Sequence, residues 1–315
     1  MVAIVIVNYN GSIDTLACVE SLLLSTYKQY RIIIIDNAST IDSISLLKSG
    51  LNKYRLFRQE PNTYYYLNGK VILLTSSFNG GFAVANNIGA KYAINNINEL
   101  DSIWFLNNDT IVKPNTLKLL VDYLNCSSPK LGILGNKLLF VDNPMKIQAV
   151  GGTYNKVLAR CKHIGAYEID RGQYENKKMN LDYVVGASMF VRKSFITDVG
   201  FMSEDYFLYF EELDWILRGE RQGWYFDCVL DAIVFHKEGG STKMFQNQIS
   251  EIADICQLRN RILFTKKFFP FFLISVLPAC LMTIIFRFIK GDIVRSKILF
   301  KEYIKSITNL FYKNG

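Results

Sequence analysis

Two single acids, one pair of acids and one histidine lie at or near apolar stretches, where their side chains could meet a ligand. Asp36 follows a run of isoleucines, Asp109 follows a Trp-Phe-Leu run and two asparagines, and His236 follows Val-Phe. The Glu211-Glu212 pair lies in an aromatic-rich, acidic segment. Carboxylates bind hard divalent cations, and a carboxylate facing a reacting hydroxyl can act as a general base. A single acid could equally start a turn, so its meaning depends on whether the fold brings these positions together.

Four short apolar runs in the first 125 residues predict strands at 3–7, 31–35, 71–74 and 102–106. Near-continuous apolar runs are typical of parallel strands covered on both faces. Helical patterns lie between them at 14–24, 39–48 and 81–97, the second with a Ser39-x-x-Asp42 capping pattern, and another helix follows Pro114. This alternation predicts an α/β fold with a Rossmann-like, mostly parallel central sheet flanked by helices.

Polar residues close each predicted strand, in clusters at 8–11, 36–40, 76–81 and 107–109. In open α/β sheets, ligands bind beyond the carboxyl ends of the strands, so these clusters predict one shared site. No G-x-G-x-x-G follows the first strand and no G-x-x-x-x-G-K-[ST] occurs, which argues against dinucleotide and P-loop binding.

Composition and charge restrict the class of protein. A chain of 315 residues that is 50% hydrophobic can bury a large core. Six cysteines without a C-x-x-C pair favour a reducing cytosolic compartment, and the N-terminus lacks signal-peptide features. Residues 256–315 hold eleven Lys and Arg against two acids, a net +9 within a chain of +8. The nearly neutral remainder argues against nucleic acid as a partner.

Seven motifs follow one another along the chain. They are Val7-Asn8-Tyr9-Asn10-Gly11, Asp36-Asn37-Ala38-Ser39, Asn79-Gly80-Gly81-Phe82 with Asn86-Asn87, Leu106-Asn107-Asn108-Asp109, Gly186-Ala187 with Arg192, Tyr209-Phe210-Glu211-Glu212-Leu213-Asp214, and His236. In this order they resemble the family 2 inverting glycosyltransferases of the GT-A fold, and most of all the bacterial rhamnosyltransferase-like branch that builds surface polysaccharides. The resemblance runs from about residue 3 to residue 264 and ends in Arg259-Asn260-Arg261.

The resemblance implies sugar transfer with inversion from a dTDP- or UDP-sugar, with dTDP-rhamnose as one candidate, and a divalent metal, Mg²⁺ or Mn²⁺. Asp109 matches the last acid of the family's D-x-D metal motif, although Asn107 replaces the first. His236 resembles a further metal-side ligand. Asp36 matches the nucleobase contact, where a carboxylate can accept the N3–H of uracil or thymine.

The same resemblance assigns the other site residues. Glu212 matches the general base, with glutamate in place of the family's aspartate, and Glu211 and Asp214 are its alternatives. The acceptor side is matched by Gly186 and Ala187. The remaining donor-nucleotide matches are Val7, Asn8, Tyr9, Asn79, Gly80, Gly81, Asn87, Asn107 and Asn108.

The domain prediction is a GT-A glycosyltransferase domain at 1–264, with a nucleotide-sugar-binding half at 1–125 and an acceptor and catalytic half at 126–264. A helical membrane-associating segment at 265–315 follows. Residues 268–286 carry no charge and just reach spanning length, but Pro270 and Pro278 interrupt them. A spanning helix, an interfacial hairpin and a buried helical pair therefore all remain open.

The acceptor that suits such a segment is a polyprenyl-diphosphate-linked saccharide at the cytoplasmic face of the bacterial inner membrane. Two alternative functions also remain open. One is a nucleotidyltransferase on a related fold, although no G-x-G-T/S-R loop follows the first strand. The other is a catalytically silent nucleotide-binding membrane protein, since glutamate stands at the position of the base.

Overall fold

The computed structural model describes residues 1–175, 179–237 and 251–311. The Gly-rich turn predicted after His236, with Gly239 and Gly240, and the end of the predicted basic helix at Tyr312 lie outside them. The strands are β1 (Val2–Asn8), β2 (Tyr30–Asp36), β3 (Leu56–Glu60), β4 (Thr63–Tyr66), β5 (Val71–Thr75), β6 (Ser102–Asn107), β7 (Thr110–Val112), β8 (Leu131–Phe140), β9 (Ile147–Ala149), β10 (Gly152–Asn155), β11 (Arg160–His163), β12 (Ser188–Arg192) and β13 (Tyr225–His236). The helices are α1 (Ser12–Leu23), α2 (Ile41–Leu51), α3 (Gly81–Asn96), α4 (Thr116–Cys126), α5 (Lys193–Val199), α6 (Glu211–Glu220), α7 (Glu251–Phe268), α8 (Leu273–Ile289) and α9 (Ile293–Phe311).

Within the described residues, one large sheet has the order β3-β4-β5-β2-β1-β6-β12-β8-β13-β7, and β9 pairs with β8. Its centre, β5-β2-β1-β6, is parallel. The antiparallel strand β12 then joins β6 to the parallel pair β8 and β13. The predicted α/β fold with a mostly parallel sheet is confirmed.

Two apolar cores cover the two faces of the sheet. In β1, Ala3 and Val5 contribute to one core, and Ile4 and Ile6 contribute to the other. All four side chains are fully buried. This double burial explains why the strand reads as a continuous apolar run, since successive side chains point to opposite faces.

Two local features differ from the sequence prediction. The β3–β4 hairpin was missed, because β3 is mostly exposed and has no apolar alternation. Helix α2 begins at Ile41, and its cap is Thr40, whose Oγ1 accepts a hydrogen bond from the Ser43 amide at 3.4 Å. The predicted Ser39 cap was wrong because the Ser39 hydroxyl instead accepts bonds from the Asn8 side chain and the Asn10 amide.

The C-terminal helices pack on the domain that contains the large sheet. Helix α7 continues through residues 264 and 265, where the predicted domain boundary lies. Its Leu258 and Ile262 belong to the same core as Val5 of β1. Helices α8 and α9 pack against α7 and against each other.

Candidate active site

The central strands end at one level. In the register, Asn8 of β1 pairs with Asp36 of β2, and Val7 pairs with Asn107 of β6. Val7 is half-buried, whereas Tyr9, just past the strand, is 41% exposed. The polar clusters predicted to meet at the carboxyl edge of the sheet therefore do so.

Asp36 is only 3% exposed and is positioned by its neighbours. Asn8 Nδ2 donates to its Oδ1 at 2.7 Å, and the Ser39 amide donates to its Oδ2 at 3.2 Å. Asn8 is itself fully buried and accepts a bond from Thr15. Carboxylate oxygens can accept more than one bond, so Asp36 keeps capacity for a ligand N–H. Asn8 thus positions Asp36, and its side chain does not face open space.

The loop before α3 is bonded to the end of β2 and packs closely against the segment that precedes α6. Asn37 donates to Asn79 Oδ1 at 2.8 Å and accepts from the Gly80 amide at 3.2 Å. Gly81 has φ +82, and a Cβ there would lie 2.3 Å from the carbonyl oxygen of Phe207. Glycine is therefore required where α3 approaches the segment that leads to α6.

The side chain of Asn87 is directed to a neighbouring segment and not to the sheet edge where the polar clusters meet. It is 1% exposed, and its amide donates to Met202 O at 3.0 Å and to Glu204 Oε1 at 2.9 Å. Its Oδ1 accepts from the Met202 amide at 3.2 Å. Through these bonds Asn87 holds the 202–204 segment against α3. Its side chain is therefore not placed for the donor contact that was predicted.

Asp109, just past the end of β6, and His236, at the end of β13, lie side by side. Asp109 is 8% exposed, and its Oδ1 lies 3.1 Å from His236 Nε2 but has no hydrogen-bond partner among the described residues. His236 Nδ1 lies 2.7 Å from Gln148 Oε1, an atom that only accepts; the neutral tautomer that donates this bond presents a lone pair at Nε2. Asn107 Nδ2 also lies 3.3 Å from Nε2.

Two lone pairs that face each other in a buried place repel unless a cation or a second proton lies between them. Two adjacent ligands of an octahedral cation, with bonds of about 2.1 Å, are about 3.0 Å apart. The observed 3.1 Å fits that spacing. Within the part of the chain described, no group of three His, Cys, Asp or Glu residues is arranged to hold a metal. A cation here would thus take its other ligands from a substrate or water.

Asn108 has a structural role. It is 5% exposed, and its Nδ2 donates to Gly11 O at 3.2 Å and to the Thr15 hydroxyl at 3.1 Å. These bonds fix the turn after β6 onto the start of α1. These bonds occupy Nδ2, and a donor contact through Oδ1 of Asn108 stays a prediction.

Glu211 and Glu212 open helix α6 after an unusual backbone turn. Tyr209 and Phe210, both non-glycine, have φ of 71° and 77°. Asn260 of α7, fully buried, donates to the carbonyls of Leu208 and Tyr209 at 2.8 and 2.9 Å and so holds this turn. Strained residues of this kind persist where surrounding contacts fix them, often at functional sites.

Both glutamates carry a buried Oε2 that has no hydrogen-bond partner within residues 1–175, 179–237 and 251–311. Burial raises the pKa of Glu212 to about 7. Burial and the charge of Glu212 hold the pKa of Glu211 well above its usual range. A carboxylate whose pKa lies near neutrality is suited to accept a proton, and the pair favours Glu212 as the acceptor, with Glu211 protonated.

Asp214 is engaged elsewhere. Its Oδ1 accepts from Arg218 Nε at 2.6 Å, and its Oδ2 accepts from the Tyr206 hydroxyl at 3.1 Å and lies 2.6 Å from Lys267 Nζ. The residue is completely buried. This bonding assigns it a structural role and removes it from the candidates for the base.

The acceptor-side residues border Glu212. A Cβ on Gly186 would lie 3.7 Å from Glu212 Oε1, so a small residue leaves the carboxylate open. The carbonyl of Ala187 accepts from the Asn107 amide at 2.9 Å and joins this segment to β6. Tyr183 is 2% exposed, and burial together with the charges of Cys161 and Glu212 raises its pKa.

Sequence reasoning missed Gln148, Asn260 and Tyr183 as parts of this site. Gln148 lies in a three-residue strand, and Tyr183 lies outside the matched motifs. Asn260 appeared only as the end of the resemblance, and its hydrogen bonds to residues 208 and 209 have no local sequence signal.

Solved structures share this fold. A mannosyltransferase from Pyrobaculum calidifontis, in complex with GDP-Man and Mn²⁺, matches with a TM-score of 0.56 and 10% identity over 100% of this chain and 88% of that one. GalNAc-T7, with UDP, GalNAc and Mn²⁺, matches with a TM-score of 0.62 and 16% identity over 84% of this chain and 47% of that one. The fold is that of the GT-A glycosyltransferases.

Sequence comparison identifies the family. The model for glycosyl transferase family 2 matches residues 3–195, and the chain belongs to that family. Low-salt glycan biosynthesis hexosyltransferase Agl10 from Haloferax volcanii is 23% identical over 269 residues, covering 85% of this chain and 76% of that protein. The predicted family is thus confirmed, and the protein is a glycosyltransferase. The rhamnosyltransferase-like branch stays a prediction.

Proposed function

We propose that this glycosyltransferase moves a sugar, with inversion, from a dTDP- or UDP-sugar to a polyprenyl-diphosphate-linked saccharide at the cytoplasmic face of the inner membrane. The observation that carries the proposal is an arrangement at one edge of the sheet: Asp36 and the Asp109–His236 pair lie at the strand ends, and Glu212 lies beside Gly186, whose neighbour Ala187 is bonded to Asn107 of β6. dTDP-rhamnose remains one candidate donor.

The reaction follows from the chemistry of these side chains. Glu212 takes the proton of the acceptor hydroxyl as its oxygen forms a bond to the anomeric carbon. The bond from that carbon to the nucleoside diphosphate breaks, and the electron pair leaves with the diphosphate. Attack opposite the leaving group inverts the anomeric centre. The raised pKa of Glu212 suits the proton transfer at neutral pH.

Asp109 Oδ1 and His236 Nε2 would hold a divalent cation, which neutralises charge on the departing diphosphate. An imidazole ligand favours a transition metal, so Mn²⁺ fits this pair better than Mg²⁺. Mn²⁺ is also present in the complexes of both structural neighbours. Asp36 would accept the N3–H of uracil or thymine, consistent with either base.

The direct test is a thermal-shift screen of the full chain with UDP- and dTDP-sugars, with and without Mn²⁺. We expect stabilisation by one of the two nucleotide classes, increased by Mn²⁺. An Asp36→Ala variant should lose the nucleotide effect, whereas Asp42→Ala, an acid on the neighbouring helix, should keep it. Absence of a shift with every donor would contradict the donor-site assignment.

A further inference from the structure

Helix α8 is apolar on the side that faces water as well as on the side that faces the protein. Val276, Cys280 and Ile284 form its buried side. Its opposite side carries Ile274, Pro278, Met282, Phe286 and Ile289, at helical spacing, and Ile274 is 78% exposed and Ile289 71% exposed. An exposed apolar stripe of this length is expected only where something other than water covers it.

The described part of the chain contains one helical stretch that is long and apolar enough to span a membrane, Pro270–Ile289, and only 17% of its most apolar part is buried in the protein. Polar contacts nevertheless tie it to the catalytic domain at three levels. Ser275 Oγ donates to Val157 O at 2.8 Å, Arg160 Nη2 donates to Thr283 Oγ1 at 3.4 Å, and Arg287 Nη2 donates to Asp254 Oδ1 at 2.7 Å.

A spanning helix would have to break these contacts or take Arg160 and the neighbouring backbone into hydrocarbon. Both are costly, because polar groups in lipid need partners and water is absent there. The helix therefore fits an orientation parallel to the bilayer plane, with one side on the protein and the other in lipid.

Helix α9, which packs against α8, carries a stripe of lysines. Lys297, Lys301 and Lys305 recur every four residues and are exposed. Phe300 and Ile304, 48% and 47% exposed, lie next to them on the same helix. Lysines that border an apolar surface are suited to the phosphates of anionic lipids, with their aliphatic stems along the boundary.

We propose that the outer side of α8 and the lysine stripe of α9 form a monotopic docking surface for an anionic bilayer. Ile274, Met282 and Phe286 enter the acyl boundary while the α9 lysines contact headgroups. Helix α7 connects this surface to the catalytic turn, since its Asn260 binds the carbonyls of residues 208 and 209 and its Lys267 contacts Asp214. The docking rests on α8 and α9 and does not depend on the proposed acceptor.

The test is co-sedimentation of the full chain with vesicles of phosphatidylcholine alone or mixed with phosphatidylglycerol. The apolar variant is Ile274→Ser with Phe286→Ser. The matched control is Leu24→Ser with Ile41→Ser, which removes side chains that are 69% and 82% exposed, one just after α1 and one at the start of α2. We expect the apolar variant to lose about tenfold or more in partitioning and the control to lose none.

A second variant separates charge from apolar contact. Replacing Lys297, Lys301 and Lys305 by Gln should reduce binding to phosphatidylglycerol vesicles by roughly fivefold per lysine and leave weak binding to neutral vesicles unchanged. A donor-induced thermal shift equal to that of the wild type in both variants would show that they fold and that the donor site is intact.

Labelling distinguishes the in-plane from the spanning arrangement. A membrane-impermeant amine reagent added outside sealed vesicles should modify the three α9 lysines, more slowly than Lys118 of α4 because of their headgroup contacts. If the α9 lysines are not modified until the vesicles are permeabilised, while Lys118 is modified throughout, α8 spans the bilayer and the proposal is overturned. The proposal would also be overturned by failure of the wild type to bind either vesicle, or by a lipid-free dimer that the apolar variant dissociates without any change in vesicle binding.

Discussion

The proposed donor side and the proposed base side of this site, called the donor side and the base side below, are built by different means. Asn8, Asp36 and Asn107 end neighbouring parallel strands, so their positions follow from the register of the sheet. Glu212 instead follows two residues with positive φ, and Asn260 of a distant helix holds that turn. The donor side thus depends on regular structure, and the base side depends on a strained turn fixed by tertiary contacts. Perturbing the two sides should separate binding from turnover.

The electrostatics of the two sides also differ. Asp109 and His236 face each other with lone pairs at 3.1 Å, an arrangement that a bound cation stabilises. Glu211 and Glu212 are close to each other in a place where the described residues offer no hydrogen-bond partner to their Oε2 atoms. Burial therefore favours their neutral forms, and a proton stabilises that pair. The first arrangement would suit the proposed metal, and the second the proposed proton transfer.

The largest effect is expected on the donor side. Asp109→Ala removes the carboxylate that would bind the cation, so transfer should fall by about 10³-fold or more. The Mn²⁺-dependent part of the donor thermal shift should disappear with it. Both are measured against Asp142→Ala, which removes an exposed acid beyond β8. A variant that retains the full Mn²⁺ effect would show that the cation binds elsewhere.

On the base side, Glu212→Gln should lower kcat by about 10² to 10⁴-fold, because the carboxylate that accepts the proton is lost. The donor thermal shift should stay as in the wild type, in contrast to Asp109→Ala. Glu220→Gln, at the exposed end of the same helix, is the control. Equal loss of donor binding and turnover in Glu212→Gln would contradict the separation of the two sides.

The pH dependence sharpens the same contrast. The pKa of Glu212 is raised from 4.5 to about 7 in the folded protein, so kcat should fall as the pH is lowered through about 7. The folded state then binds this proton more tightly than the unfolded state does, and its stability decreases as pH rises from about 4.5 to 7. Glu212→Gln should therefore gain Tm relative to the wild type at pH 8 and gain little at pH 4. A constant Tm difference between these pH values would place the shifted pKa on another group.

A smaller effect is expected from the residue that holds the strained turn. Asn260→Ala should lower kcat by about tenfold, because the turn that presents Glu212 loses two hydrogen bonds, and should leave donor binding unchanged. The control is Gln257→Ala, an exposed position on the same helix. A fall in Tm with kcat preserved would instead show that Asn260 serves only the stability of α7.

The contrast also explains what the sequence could predict. The sheet edge and Asp36 were predictable, because apolar runs mark strands and polar residues mark their ends. The β3–β4 hairpin was not, since β3 is exposed and lacks alternation. Neither the Gln148 contact that sets the His236 tautomer nor the bonds from Asn260 have a local signal, because they join segments 88 and about 50 positions apart. Motif matching placed Asn8, Asn87, Asn108 and Asp214 at the site, but only burial and hydrogen bonding show that these side chains act on other residues.

Asn87→Ala gives the smallest expected effect on the reaction. All the polar atoms of this side chain bond to the 202–204 segment, so its loss should lower the free energy of unfolding by about 1–3 kcal/mol and leave the KM for the donor unchanged. Unfolding in urea and donor kinetics measure the two quantities separately, and Asn96→Ala, near the exposed end of the same helix, is the control. A raised donor KM without a loss of stability would return Asn87 to the nucleotide site. It would also show that the donor side extends along α3 at least as far as Asn87.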